Sequence, residues 1–130
     1  MSETVMIDAR DAANHLAVVV HDATRALPEP AGRPFGQRLR GSAAAVVVLV
    51  AGACRADGAE RAERFIAGAE LALRRLGREI AAAERLGLMT MEAALWLLER
   101  STGVGVALAA LAELLLGESA PSAEAAQAAA

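Results

Sequence analysis

From Ala59 to Leu86 the apolar residues fall on one side of a helical wheel. At 100° per residue Ala62, Phe65, Ile66, Ala69, Leu73, Leu76, Ile80 and Ala83 share a face, and arginine and glutamate take most of the remainder. The spacing predicts an amphipathic helix that ends at Gly87, a residue suited to a left-handed cap. Thr90 offers a side-chain oxygen to open a further helix, which runs to about Leu116 and stops at Gly117. Upstream, helices are expected over about Ile7–Ala26 and Phe35–Ala56. Between them lies Leu27-Pro28-Glu29-Pro30-Ala31-Gly32-Arg33-Pro34, whose three prolines and one glycine forbid a continuous helix. Asp57-Gly58 separates the second helix from the third. The run Val46-Val47-Val48-Leu49-Val50 invites a strand. It sits between alanine-rich flanks and does not alternate, so it reads as helix.

Short connections after the second and third helices make neighbours antiparallel. The expected fold is all-α, an antiparallel up-down-up-down four-helix bundle over residues 1–117, followed by an alanine-rich disordered tail over 118–130. The fourth helix differs from the third. It is apolar on nearly every side, and a lone four-helix bundle leaves one side of each helix wet. Such a helix needs a second burial partner, and the simplest is another copy of the chain. Leu71, Trp96, Leu97, Val104, Leu111 and Leu114 are the candidate contacts of a ring-like homo-oligomer.

Composition adds bounds. The 130 residues fit one domain, and 55% of them are hydrophobic, so a sizeable core is available. Alanine and leucine dominate, aromatics are scarce and tyrosine is absent, which favours helix over sheet. All thirteen basic residues are arginine, against sixteen acids; the formal charge of -3 excludes a uniformly basic nucleic-acid binder. Cys54 is the single cysteine, so no intrachain disulfide forms. The first residues lack a secretory signature. The longest apolar run, Ala43–Cys54, is shorter than the roughly 20 residues a membrane span needs. A cytoplasmic protein with no membrane partner is expected.

Charge is unevenly placed. Pro30–Ala56 holds Arg33, Arg38, Arg40 and Arg55 and no acid. Folding the third helix back on the second puts Arg40 roughly level with Arg75, Arg38 near Arg78 and Arg33 near Arg85, with Arg74 close by. Helix N-termini at the same pole add partial positive charge. Arg33, Arg38, Arg40, Arg74, Arg75, Arg78 and Arg85 are therefore candidate contacts for a phosphate backbone. An ordinary solvated face is the competing reading, because Glu70–Arg74 and Arg75–Glu79 have the spacing of local ion pairs. Other chemistry is thin. His15 and His21 do not share a helix face and make no zinc site with one cysteine. Ser42, Ser101 and Thr102 have no evident base, and Gly103-x-Gly105 lies within a helical pattern rather than after a strand. No catalytic set, cofactor or metal site is expected.

Gln37-Arg38-Leu39-Arg40 opens an apolar helix that ends at Gly52. A polar turn follows, then a long helix with Phe65 near its start, then Glu84-Arg85-Leu86-Gly87-Leu88-Met89-Thr90. Over roughly Leu16 to Leu116 this order resembles the four-helix-bundle proteins encoded in intervening sequences of bacterial 23S ribosomal RNA genes. It also resembles their relatives, the accessory variability proteins of diversity-generating retroelements. Gly36-Gln37-Arg38-Leu39 and the Arg-Leu-Gly-Leu turn are closer to the accessory branch. The resemblance implies a pentameric assembly of bundles, a reverse transcriptase and RNA or DNA as partners, and a non-enzymatic adaptor role. A protein–protein scaffold with no nucleic-acid role is the alternative.

Overall fold

A computed structural model describes residues 2–117, so the tail expected to be disordered lies outside the described residues. Among the described residues the chain is all-helical, with four helices and no strand: α1 (Ser2–Thr24), α2 (Gly32–Arg55), α3 (Ala59–Arg85) and α4 (Met91–Leu116). α1 begins before Ile7 because Val5 and Met6 continue its inward face and pack on the core. α2 begins before Phe35 because Pro34 falls in its first turn, where a missing N–H costs nothing. The Val46–Val50 run is helical, with Val46 and Val50 fully buried.

The breaks follow local chemistry. Gly58 and Gly87 take φ of 90° and 74°, a region that penalises any Cβ. At the end of α3 the Leu88 amide donates to the Ala83 carbonyl at 2.9 Å, and the Gly87 amide to the Glu84 carbonyl at 3.0 Å. This pair of bonds satisfies carbonyls that the helix end would leave unpaired. The Thr90 hydroxyl accepts from the Ala93 amide at 3.1 Å and caps α4.

Each helix packs against two neighbours, α1 against α2 and α4, α3 against α2 and α4, so α1 faces α3 across one diagonal and α2 faces α4 across the other. Leu16, Val20, Leu39, Val46, Leu76, Ile80, Leu97 and Leu111 meet at the centre with no exposure. α2 and α3 approach closely where glycine makes room. A methyl at Gly52 would lie 2.5 Å from Phe65 Cε1, and one at Gly68 would lie 3.3 Å from Leu49 Cδ1.

Three expected oligomer contacts are corrected by this packing. Leu97, Val104 and Leu111 are 0–2% exposed and belong to the bundle's own core. They repeat at seven-residue spacing and so form the inward stripe of α4. Leu71, Trp96 and Leu114 remain on the surface, joined by Met91, Leu95 and Val106.

The expectation about membranes also needs adjusting. α2 and α4 each hold a stretch long and apolar enough to cross a bilayer by length and composition alone. In the fold they lie wedged between α1 and α3, both of which carry charged residues on their outer sides.

Candidate nucleic-acid interface

Three contacts set the register of α2 against α3. They are the hydrogen bond from Ser42 Oγ to Glu79 Oε1 at 2.6 Å, the fit of Leu49 over Gly68, and the fit of Phe65 over Gly52. This register puts Arg85 beside the first turn of α2 and Arg78 beside Leu39–Ala43. It moves Arg75 to the level of Ser42–Val46, about one turn further along than its expected partner Arg40.

The seven candidate arginines do not form one cluster. Arg40 is half-buried and turns toward α1; its Nη1 donates to Thr24 Oγ1 at 2.8 Å, and that hydroxyl donates to the His21 carbonyl at 2.9 Å. Arg33 leans toward Glu29 at 3.9 Å. Arg74 lines a groove of about 300 Å³ between α3 and α4, beside Glu70, Ser101 and Thr102. Arg38 stands over the Phe35 ring at 5.1 Å, which steadies the guanidinium and leaves it exposed. Arg38, Arg75, Arg78 and Arg85 are exposed and make no ion pair among the described residues. The local pairs Glu70–Arg74 and Arg75–Glu79 are not formed within 4.0 Å. Glu79 is drawn inward by Ser42 instead.

A larger asymmetry emerges when charge is assigned by helix. α2 and α3, which are neighbours, together carry ten arginines and five carboxylates. α1 and α4, neighbours on the other side, carry two arginines and seven carboxylates. One flank of the bundle is basic and the opposite flank acidic, although the chain as a whole is mildly acidic. The pole bearing Arg38 is only part of this pattern. Arg55 and Arg61 flank a cleft of about 280 Å³ at the other pole, with Gly52, Asp57 and Phe65. Charge counted per helix, once helix adjacency is known, finds these residues; charge counted along the chain does not.

The remaining reactive groups are placed as follows. His15 and His21 are both exposed on α1. Cys54 is half-buried in a cleft of about 320 Å³ with Glu3, Met6, Arg10 and Arg55. Burial pushes its thiol pKa up, and Arg10 and Arg55 offset this only in part, so the nucleophilic thiolate is disfavoured. Thr102 Oγ1 donates back to the Leu98 carbonyl at 3.0 Å within its own helix.

Comparison of the chain with family models and with curated proteins returns no match.

Proposed function

We propose that the chain is a non-enzymatic, self-associating helical adaptor whose α2–α3 flank rests against a nucleic-acid phosphate backbone. The carrying observation is the split of charge between neighbouring helix pairs, ten arginines to five carboxylates on one flank and two to seven on the other. Affinity for a polyanion comes mainly from neutralised phosphates and released counterions, so a local basic flank suffices where the total charge does not. Arg38, Arg75, Arg78 and Arg85 are the contacts, because they are exposed and carry no competing ion pair. Arg33, Arg40 and Arg74 play lesser parts, each being turned toward another group. Aromatic stacking on bases contributes little on this flank: Phe35 is half-buried under Arg38, Phe65 is half-buried against Gly52, and Trp96 lies on α4 under the Arg100 guanidinium at 4.4 Å. By the resemblance, the assembly is a pentamer and its partners are a reverse transcriptase and RNA or DNA.

The exposed apolar side of α4 favours a second reading, a protein–protein scaffold with no nucleic-acid role. Titration of a labelled single-stranded RNA and a duplex DNA at several salt concentrations separates the two. The wild type is expected to bind with a steep salt dependence, and the slope should shrink by about 0.7–0.9 for each phosphate that is no longer neutralised. The triple variant R38E/R75E/R78E is expected to lose most of that binding. Equal binding by variant and wild type rejects this flank, and no binding by either favours the scaffold.

A further inference from the structure

The two helices without a finished outer surface, α2 and α4, lie on opposite sides of the bundle and point the same way. Their outer faces match. On α2 the outward positions Gly41, Ala44 and Val48 are small and exposed, and no charge occurs from Gly41 to Cys54. On α4 the outward positions Leu95, Val106 and Ala110 are exposed, and no charge occurs from Ser101 to Ala112. Arginines flank the α2 stretch; on α4 the outer-face charges flanking the stretch are glutamates, while Arg100, next to Ser101, turns aside over Trp96. Arg33 and Arg55 bracket the outer face of α2, about 33 Å apart at 1.5 Å per residue. Glu92 and Glu113 bracket the outer face of α4, about 32 Å apart on the same measure, and Glu99 lies exposed on that face between them, one turn after Leu95.

We infer that copies of this chain assemble head to tail, the outer face of α2 in one copy lying parallel against the outer face of α4 in the next. Laid start to start, α2 and α4 bring Arg33 level with Glu92, Arg55 level with Glu113, and the two uncharged stretches over one another. Small residues on α2 let the bulkier α4 face approach closely. Arg55, Glu92 and Glu113 have no ion pair among the described residues, and the Arg33–Glu29 contact is long and exposed. Symmetric alternatives are disfavoured by charge. Two α2 faces packed antiparallel set Arg33 against Arg55, and two α4 faces set Glu92 against Glu113. A head-to-tail contact propagates to a ring or a filament. It leaves Arg38, Arg75, Arg78 and Arg85 uncovered, repeated once per copy. This interface rests on the self-associating adaptor reading and specifies how its copies meet.

Light scattering on the full chain tests it with two surface variants, V48E on the α2 face and V106R on the α4 face, each checked for helicity by circular dichroism. The wild type is expected to exceed the mass of one chain, and each variant alone to fall to one chain. An equal mixture is expected to give a dimer of one of each, through the intact α4 of the first and the intact α2 of the second. A charge-exchange series supplies a check independent of the apolar positions: R33E/R55E is expected to dissociate the assembly, and adding E92R/E113R to restore it. Self-pairing by either variant, or a mixture that stays at one chain beside an assembled wild type, overturns this interface and leaves self-association standing. A wild type of one chain overturns both.

Discussion

α3 and α4 are nearly equal in length, 27 and 26 residues, and each contributes a stripe of fully buried side chains to the same core. Their other sides differ. α3 carries eleven charged residues, and its outward positions are mostly arginine and glutamate. α4 carries four, and Leu95 and Val106 stand 53% and 68% exposed. The inward stripe holds the bundle together; the outward stripe decides what the bundle meets. Water completes α3, whereas α4 presents apolar surface that another protein surface would cover more favourably.

Substitutions that strike the two stripes separately sharpen this contrast. The largest effect is expected in the core. Leu76→Ala in α3 and Leu97→Ala in α4 should each destabilise the fold by about 2–5 kcal/mol in urea melts, because both leave a cavity at a fully buried site. Leu95→Ala, two residues from Leu97 on the outer side, should cost less than about 0.5 kcal/mol in the dissociated chain. A large loss there would mean that α4 is phased differently about its axis.

The turn joining the two helices comes next. Gly87→Ala should cost about 1–2 kcal/mol, since φ of 74° is strained for any residue with a Cβ. Thr90→Ala should cost about 1 kcal/mol by freeing the Ala93 amide. Thermal melts of the two variants should therefore rank in that order. On the α2–α3 seam, Ser42→Ala should cost about 1 kcal/mol by removing the donor to Glu79. It should also free that carboxylate to compete for Arg75 and weaken phosphate binding on the basic flank.

The smallest effect concerns Cys54. Its folded thiol pKa is raised, so the protonated thiol is favoured in the fold. That contribution is fully present below the ordinary thiol pKa and is lost as pH climbs through the raised folded value. Stability should therefore decline slightly on the alkaline side, and Cys54→Ser should flatten the decline. Alkylation at a fixed mildly alkaline pH should be slower for the folded chain than for the chain in urea. Equal rates would show that the cleft is open to solvent and that burial does not govern the thiol.

Much of the fold could be read along the chain. The proline-bearing linker, Asp57-Gly58, Gly87 and Thr90 mark helix ends through interactions within a few residues, and the structure places its breaks there. The inward face of α3 was legible because arginine and glutamate mark the opposite side. Most of the candidate binding surface was not. Leu97, Val104 and Leu111 could not be told from Leu95 and Val106 by type, since a helix apolar all round has no polar side to show which way it turns. Nor could the arginines be sorted. Arg40 is withdrawn by Thr24, and Glu79 is withdrawn by Ser42; both partners are remote in sequence.

The amino-acid order alone determined four helices, their approximate ends and their antiparallel succession, because caps, breakers and periodicity act over one or two turns. The tertiary structure decided which side of α4 faces the core, how α3 slides against α2, and which helices share a flank. Those outcomes depend on how side chains from distant segments fill common space. Gly52 under Phe65 and Gly68 under Leu49 set a register that neither helix specifies by itself.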